Sequence, residues 1–327
     1  GTPIMDMVAG EDQGSFKEFL RTYAKDESAD ASLDVKCVSA KGSFNAKMEF
    51  SSATIDGEPC TQIIIRDQAI GDKELEQKLK YLLPITKGEF LSSGGFTEPD
   101  HGSDITLMNT TAIKSGDTYV INGVKTFITN GTIGNFVLVL CQTDPEAKPS
   151  YRGQSVILVE RDTPGYTSAD VGEKMGIKMT ATAELSFNNV RVPTSNLVGK
   201  EGKGFYQVLE FFDESRVEIA AQALGIAEGA FDRALAYTKQ RTQFGKRLAD
   251  FQVTQHKLAD MATKIETARL IIYRAAWNFD QGIIDPKLTS MAKMYAGRIA
   301  VEVADEAIQL HGGYGYMLEY EVERFYR

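Results

Sequence analysis

The sequence is poor in the residues that build metal centres and disulfide frameworks. Its three cysteines, Cys37, Cys60 and Cys141, are odd in number, far apart and outside any CxxC spacing. That excludes a disulfide scaffold and a zinc site, and leaves small buried hydrophobes as the reading of all three. The three histidines, His101, His256 and His311, form no HxxxH or HExxH pair, so no metal centre is expected. Positive charge is also scarce, with 36 Lys and Arg against 45 Asp and Glu and a formal net charge of -9. Binding a nucleic acid needs a basic face that neutralises phosphates, and no basic cluster is present to form one. No apolar run reaches membrane-spanning length, and no basic stretch followed by an apolar segment opens the chain. The expectation is a soluble cytoplasmic protein with neither membrane span nor signal peptide.

What is present is an ordinary globular composition, 43% hydrophobic and 25% charged over 327 residues, enough for two or three domains. Residues 1–80 read differently from the rest. Phe16, Phe19, Leu20 and Tyr23 recur at helical spacing within Asp12–Ala24, followed by strand-like runs at Leu33–Val38, Phe44–Ala53 and Cys60–Arg66. Lys41-Gly42 and Asp56-Gly57 sit between the runs as hairpin turns, and a charged helix at Lys73–Lys80 closes the segment. The order resembles the second half of a PAS sensory domain with its exit helix; a plain pair of hairpins accounts for it as well.

Residues 81–200 carry short β-rich runs at Thr110–Ile113, Tyr119–Ile121, Val124–Ile128, Phe136–Cys141, Ser155–Glu160 and Glu184–Phe187, closely punctuated by Gly, Asn, Asp and Pro. This pattern predicts a central antiparallel β-barrel domain. Over residues 201–327 the period changes from 2 to 3.6. Leu258, Met261, Ile265, Ala268, Ile272 and Ala275 step by three and four, as do Ala227, Ala230, Ala234 and then Ala292, Ala296, Ile299, Val303, Ala307. Gly282 with Pro286, and Gly312-Gly313, mark helix stops. The expected fold class is α+β: an irregular N-terminal α/β segment, the barrel, and a C-terminal helical bundle whose apolar stripes are core.

Four motifs carry the chemistry. They are Phe96-Thr97-Glu98-Pro99-Asp100-His101-Gly102-Ser103-Asp104, Thr126-Phe127-Ile128-Thr129-Asn130-Gly131, Arg241-Thr242-Gln243-Phe244-Gly245-Lys246, and Gln309-Leu310-His311-Gly312-Gly313. Each taken singly is common turn or cap composition. Together, in this order, residues from about Tyr81 to Arg327 resemble the acyl-CoA dehydrogenase family. The resemblance implies FAD as cofactor, an acyl-CoA substrate, an electron-transfer flavoprotein as acceptor, and assembly as a homodimer or homotetramer. It places Thr97, Gly102 and Ser103 at the flavin and its phosphates, with Ser103 also toward the substrate. Phe127 would cover one face of the ring where most members have Trp, keeping the apolar contact without the indole N–H. Thr129 would bond toward the ring nitrogens. Arg241, Phe244, Gln309 and Gly313 would reach the adenosine diphosphate half of a neighbouring subunit's FAD. Asp213 and Arg216, in Phe212-Asp213-Glu214-Ser215-Arg216, and Thr180 would contact the CoA arm. At i, i+3 on a helix, Asp213 and Arg216 fit a surface ion pair equally well.

The family's reaction needs a carboxylate base for the acyl α-proton. Most members carry it in a segment beyond Arg327, and a minority carry it at the position occupied here by Ser215. Glu214 lies one residue earlier, about 100° round the helix, and is the candidate nearest to hand. The usual N-terminal helical domain is replaced by residues 1–80. The expectation is therefore a chain with cofactor and CoA elements but doubtful turnover, or a catalytically silent flavoprotein scaffold with a PAS-like regulatory or dimerising segment. A relative that runs oxygen-dependent chemistry in the same cleft is a third reading.

Overall fold

The computed structural model describes residues 8–23, 31–39, 42–55, 58–67 and 72–327. They fall into two compact units, residues 1–90 and 91–327. In the first, helix α1 (Gln13–Tyr23) accompanies an antiparallel sheet of β1 (Ala31–Ser39), β2 (Gly42–Ile55) and β3 (Glu58–Asp67) in that order. Phe16, Val35, Cys37, Ala46, Met48 and Phe50 form its core. The periodic helix and the three strand runs lie where the sequence puts them, although Ala24, Lys41, Asp56 and Gly57, and so the two turns, lie outside the described residues. Helix α2 (Asp72–Thr86) continues through Pro84, past the boundary read at Tyr81.

The second unit contains an eight-stranded sheet in the order β11-β8-β7-β5-β6-β10-β9, with β4 paired to β7. Its strands are β4 (Ser92–Gly95), β5 (Thr111–Ser115), β6 (Thr118–Thr129), β7 (Phe136–Gln142), β8 (Gln154–Glu160), β9 (Tyr166–Asp170), β10 (Thr182–Pro193) and β11 (Leu197–Val198). Two features correct the expected antiparallel barrel. The ladder is open, since among the described residues no pairing joins β9 to β11, and β4 runs parallel to β7. Closure is not needed to make a core. One face of β5, β6, β7, β8 and β10 converges on Tyr119, Ile121, Val137, Val139, Ile157, Leu185 and Phe187, all buried.

The runs 119–121 and 124–128 are one strand. Asn122-Gly123 does not turn the chain, because Gly123 at φ +148° crosses Thr110 so closely that a Cβ would lie 2.4 Å from Thr110 Oγ1 and 2.6 Å from its Cα. The glycine allows close approach of two backbones rather than reversal. Three helices complete the unit: α3 (Gly204–Gln240), α4 (Gln252–Asp280) and α5 (Pro286–His311). Asp285 caps α5 through Leu288 N–H, at 3.0 Å, with Pro286 in the first turn. The alanine stripes of α3 and α5 are the bundle core, and their small side chains let the two axes approach closely. Sheet and bundle meet at Ile105, Met108, Leu140, Val156 and Val208, with Phe96 and Phe212 packed against them.

Gly123→Ala should destabilise the second unit by roughly 1–3 kcal/mol, through overpacking against Thr110 and an unfavourable φ. Chemical denaturation of the two proteins measures the difference.

Candidate functional site

The first motif is a loop anchored at both ends to the sheet. The Thr126 N–H donates to the Thr97 carbonyl at 3.0 Å, and Glu98 and His101 exchange backbone hydrogen bonds of 2.9 and 3.1 Å. Within the loop Gly102, Ser103 and Asp104 are exposed. A Cβ at Gly102 would meet no protein atom, so whatever the glycine admits is not part of this chain.

The residue that organises the loop is one that sequence reasoning left in the background. The Glu98 side chain is turned inward, 1% exposed, against Lys125, which is 0% exposed, with Nζ to Oε1 at 2.8 Å. Glu98 also accepts from the N–H groups of Asn109 at 2.7 Å and Thr110 at 2.9 Å. Lys125 Nζ donates further to the Phe96 carbonyl at 3.2 Å and faces Met108 Sδ at 3.2 Å. Burial alone would raise the Glu98 carboxyl, but the Lys125 charge, its hydrogen bond and the donors at Asn109 and Thr110 together hold it below the usual carboxylate range. Burial depresses the Lys125 ammonium. The available signal was a lysine inside a strand whose neighbours alternate apolar, with a glutamate in the adjoining motif.

Beyond Lys125 a β-bulge opposes Thr126 and Phe127 to the single residue Glu184 of β10, since the register steps from Leu185↔Lys125 to Ala183↔Ile128. Bulges re-aim side chains at sheet edges and sites. Here Phe127 takes φ 58° and stands 69% exposed between buried Thr126 and Ile128. A bulky residue in the left-handed region is strained, at a cost of order 1–3 kcal/mol. Thr129 lines a pocket of about 460 Å³ with Lys174, Met175, Ile177, Thr180 and Thr182. The structure thus brings together Thr129 and Thr180, which lie 51 positions apart. Lys174 holds this rim, its ammonium bonding the Thr180 carbonyl and, at 2.9 Å, Thr182 Oγ1.

A second pocket, of about 650 Å³, gathers Arg241, Gln309 and Gly313 with Tyr237, His311 and Tyr314. The Arg241 guanidinium lies 5.5 Å from the Tyr314 ring centre, and Tyr237 stacks on buried His311 at 4.3 Å. Burial holds the His311 imidazole below its ordinary range, so the ring is neutral near pH 7. At Gly312 and Gly313 a Cβ would meet nothing, which leaves the turn open in front of Arg241. Phe244, also in the left-handed region at φ 51°, is 94% exposed beyond the pocket. Arginine donors, an open glycine turn and aromatic walls suit a nucleotide diphosphate, and an exposed aromatic on a bulge suits a flat ring. The chemistry of the second pocket therefore suits a diphosphate, and that of the Phe127 bulge a flat ring, at two separate places on the chain.

On α3, Asp213 and Arg216 form an i, i+3 ion pair, both partly buried. Glu214 is exposed, whereas Ser215 is half-buried and donates to the Phe212 carbonyl at 3.4 Å. The Phe96 ring meets Phe212 edge-on at 5.8 Å, which links the start of the first motif to this turn.

An open, mostly antiparallel sheet with a bulge at Phe127, joined to a long three-helix bundle, is the architecture of an acyl-CoA dehydrogenase. Residues 93–190 match the family model of the acyl-CoA dehydrogenase middle domain and residues 202–327 that of the C-terminal domain. The chain is 44% identical over 252 residues to a short-chain specific acyl-CoA dehydrogenase of Clostridium acetobutylicum, covering 77% of this chain and 66% of that one. It is 45% identical over 269 residues to an acryloyl-CoA reductase (NADH) of Anaerotignum propionicum, covering 81% and 67%. The structure of butyryl-CoA dehydrogenase from Megasphaera elsdenii superimposes with a TM-score of 0.75 at 43% identity, covering 77% of this chain and 66% of that one. The chain belongs to the acyl-CoA dehydrogenase family, whose members are FAD flavoproteins that oxidise or reduce CH–CH bonds. It spans about 66% of the length of such relatives.

A depressed folded-state carboxyl contributes stability that is fully present above its unfolded value, about pH 4.3 for Glu, and is lost as pH falls through the lower folded value. Acid titrations of unfolding free energy should therefore show a decline below about pH 4.3 that is shallower in Glu98→Gln.

Proposed function

We propose that this chain forms the flavin- and CoA-binding body of an enzyme that interconverts an acyl-CoA and its α,β-unsaturated counterpart. The observation that carries the reading is the pocket shared by Thr129 and Thr180. By family resemblance, Thr129 answers to the flavin ring and Thr180 to the CoA arm, so the thioester would lie where ring and arm meet. FAD, when bound, supplies the hydride acceptor for the β-carbon.

The chain's own groups bind and orient cofactor and substrate, and the α-proton goes to a base that is not assigned among them. Phe127 covers the ring and keeps water from one face. Thr97 and Ser103, on a loop anchored at Thr126, present hydroxyls toward the cofactor, and Gly102 admits it. Arg241, with Gln309, Gly313 and Phe244, serves the diphosphate half of a neighbouring copy's cofactor, which makes a homodimer or homotetramer the binding form. Asp213 holds the Arg216 guanidinium for the CoA arm through their ion pair. Asp213 is engaged with Arg216, and Glu214 is exposed about 100° from Ser215, so neither is assigned the role of base. The electron acceptor is an electron-transfer flavoprotein, in keeping with relatives such as a caffeyl-CoA reductase-Etf complex subunit of Acetobacterium woodii. Residues 1–80 are a separate segment, PAS-like or a simple hairpin sheet with its exit helix.

Purified protein should be yellow, and anaerobic addition of an acyl-CoA should perturb the flavin spectrum on binding but reduce it slowly, since loss of a general base costs about 10²- to 10⁴-fold in rate. A colourless, folded oligomer that does not take up FAD would overturn the reading. Arg241→Ala should weaken FAD retention about tenfold or more, equivalent to about 1.4 kcal/mol, and should leave FMN retention nearly unchanged. Equal loss of both would remove Arg241 from the diphosphate site.

A further inference from the structure

We infer that the buried Glu98–Lys125 pair is a positioning device that fixes the shape of the cofactor loop and the attitude of Phe127, and is not principally a support of the fold. The inference rests on the flavin-binding reading above. Neither residue faces solvent, with 1% and 0% of the side chain exposed. Neither therefore touches a bound ligand in this arrangement, and both act through the backbone they hold.

The pair stands between the two motifs. Glu98 follows Thr97 directly, and Lys125 precedes Thr126, whose N–H bonds the Thr97 carbonyl at 3.0 Å, one residue before Phe127. Three further bonds radiate from the pair: Phe96 carbonyl at 3.2 Å, Asn109 N–H at 2.7 Å and Thr110 N–H at 2.9 Å. Both ends of the loop, 96–98 and 109–110, and the strand bearing the bulge are thus tied to two charged atoms 2.8 Å apart.

A buried pair is a poor source of stability, because desolvating two charges offsets most of their attraction, and apolar replacements of similar volume are often neutral. Its use here is geometric. A carboxylate accepts several N–H bonds and an ammonium donates several, so the two side chains fix four positions at once, at Phe96, Met108, Asn109 and Thr110. The third titratable group nearby, the Cys141 thiol, is pushed up to about 12 by burial and is neutral at physiological pH. Among the charges that act on Lys125, Glu98 is then the ionised one.

The test compares Glu98→Gln, Lys125→Met and the double variant in the full chain. Each single change leaves a buried charge or an emptied acceptor and lowers thermal stability. The double variant removes both charges, so its melting temperature should exceed that of either single variant, short of the parent's because the Phe96 carbonyl and one of the Asn109 and Thr110 N–H groups stay unpaired. Amide hydrogen exchange of the FAD-free double variant should nevertheless be faster by about tenfold or more at residues 97–104 and 109–110, and unchanged in α3 and α5. Its FAD dissociation constant should rise by a similar factor, and the visible circular dichroism of the residual bound flavin should change. Parent-like loop exchange in the double variant would overturn the inference. So would faster exchange spread evenly over the sheet and bundle, which would show a purely structural pair. Loop exchange is read without cofactor, so a parent chain that fails to bind FAD would refute the functional reading separately, while the loop data would still decide the role of the pair.

Discussion

Two opposite charges sealed at the junction of sheet and bundle are the constraint on which the site depends. Lys125 lies in β6 with Nζ against Met108 Sδ, and Met108 belongs to the cluster that joins the sheet to α3 through Val208 and Phe212. A buried ammonium cannot drift, because each departure from Glu98 exposes an unpaired charge to an apolar surround at a cost of several kcal/mol. The loop from Thr97 to Asp104 can consequently leave Gly102 and Ser103 exposed without losing its form. The polar groups that would face a cofactor are kept free by other polar groups that are fully engaged behind them.

The bundle does comparable work at its far end by a different means. Ala220, Ala227, Ala230 and Ala234 of α3 lie in the same core as Ala292, Ala296, Ala304 and Ala307 of α5. Small side chains at the contact bring the helix axes together and so bring their C-terminal ends together, with Arg241 just after α3 and His311 at the end of α5. Tyr237 stacked on His311 closes the gap between them. The pocket at Arg241 and Gln309 thus results from two alanine stripes ending together, and needs no long loop to build it. Its floor is a neutral imidazole that bonds the Ala307 carbonyl at 2.7 Å, so the positive charge in the pocket is concentrated on Arg241.

The helical part of this arrangement was legible in the sequence because the signals are periodic and redundant. Met261, Ile265, Ala268, Ile272 and Ala275 lie on one face, and every one is buried. Gly282, Pro286 and Gly312 fall at the breaks because each has a backbone reason to be there. The sheet was less legible. Strand β4 is Ser92-Ser93-Gly94-Gly95, with almost no β propensity; it is a strand because β7 offers it a parallel edge. The runs 119–121 and 124–128 read as two and are one strand, with Gly123 a crossing point with Thr110. Barrel closure depends on whether two edge strands meet, a long-range fact that short alternating runs do not carry. In the site, the exposed residues were marked by their motifs. The pair that holds them was marked only by a lysine inside a strand, since nothing in a sequence couples it to a glutamate 27 positions away.

Strain and burial divide the work in this unit. Phe127 and Phe244 hold aromatic rings in solvent on left-handed backbone at φ 58° and 51°, an arrangement costly on two counts for an isolated chain. Such residues persist only where their surroundings over-determine them. For Phe127 the surroundings are visible: a bulge opposite Glu184, buried neighbours on either side, and Lys125 two residues back, fixed by its carboxylate. For Phe244 they are thinner. The residue sits in the tight hairpin of β12 (Thr242–Gln243) and β13 (Lys246–Arg247), and its nearest ring neighbour, Phe251, is 6.4 Å away. A residue 94% exposed with so little beneath it gains little within its own chain. Its exposure is therefore the counterpart of the proposed contact with a neighbouring copy, which the ring would make outside its own chain.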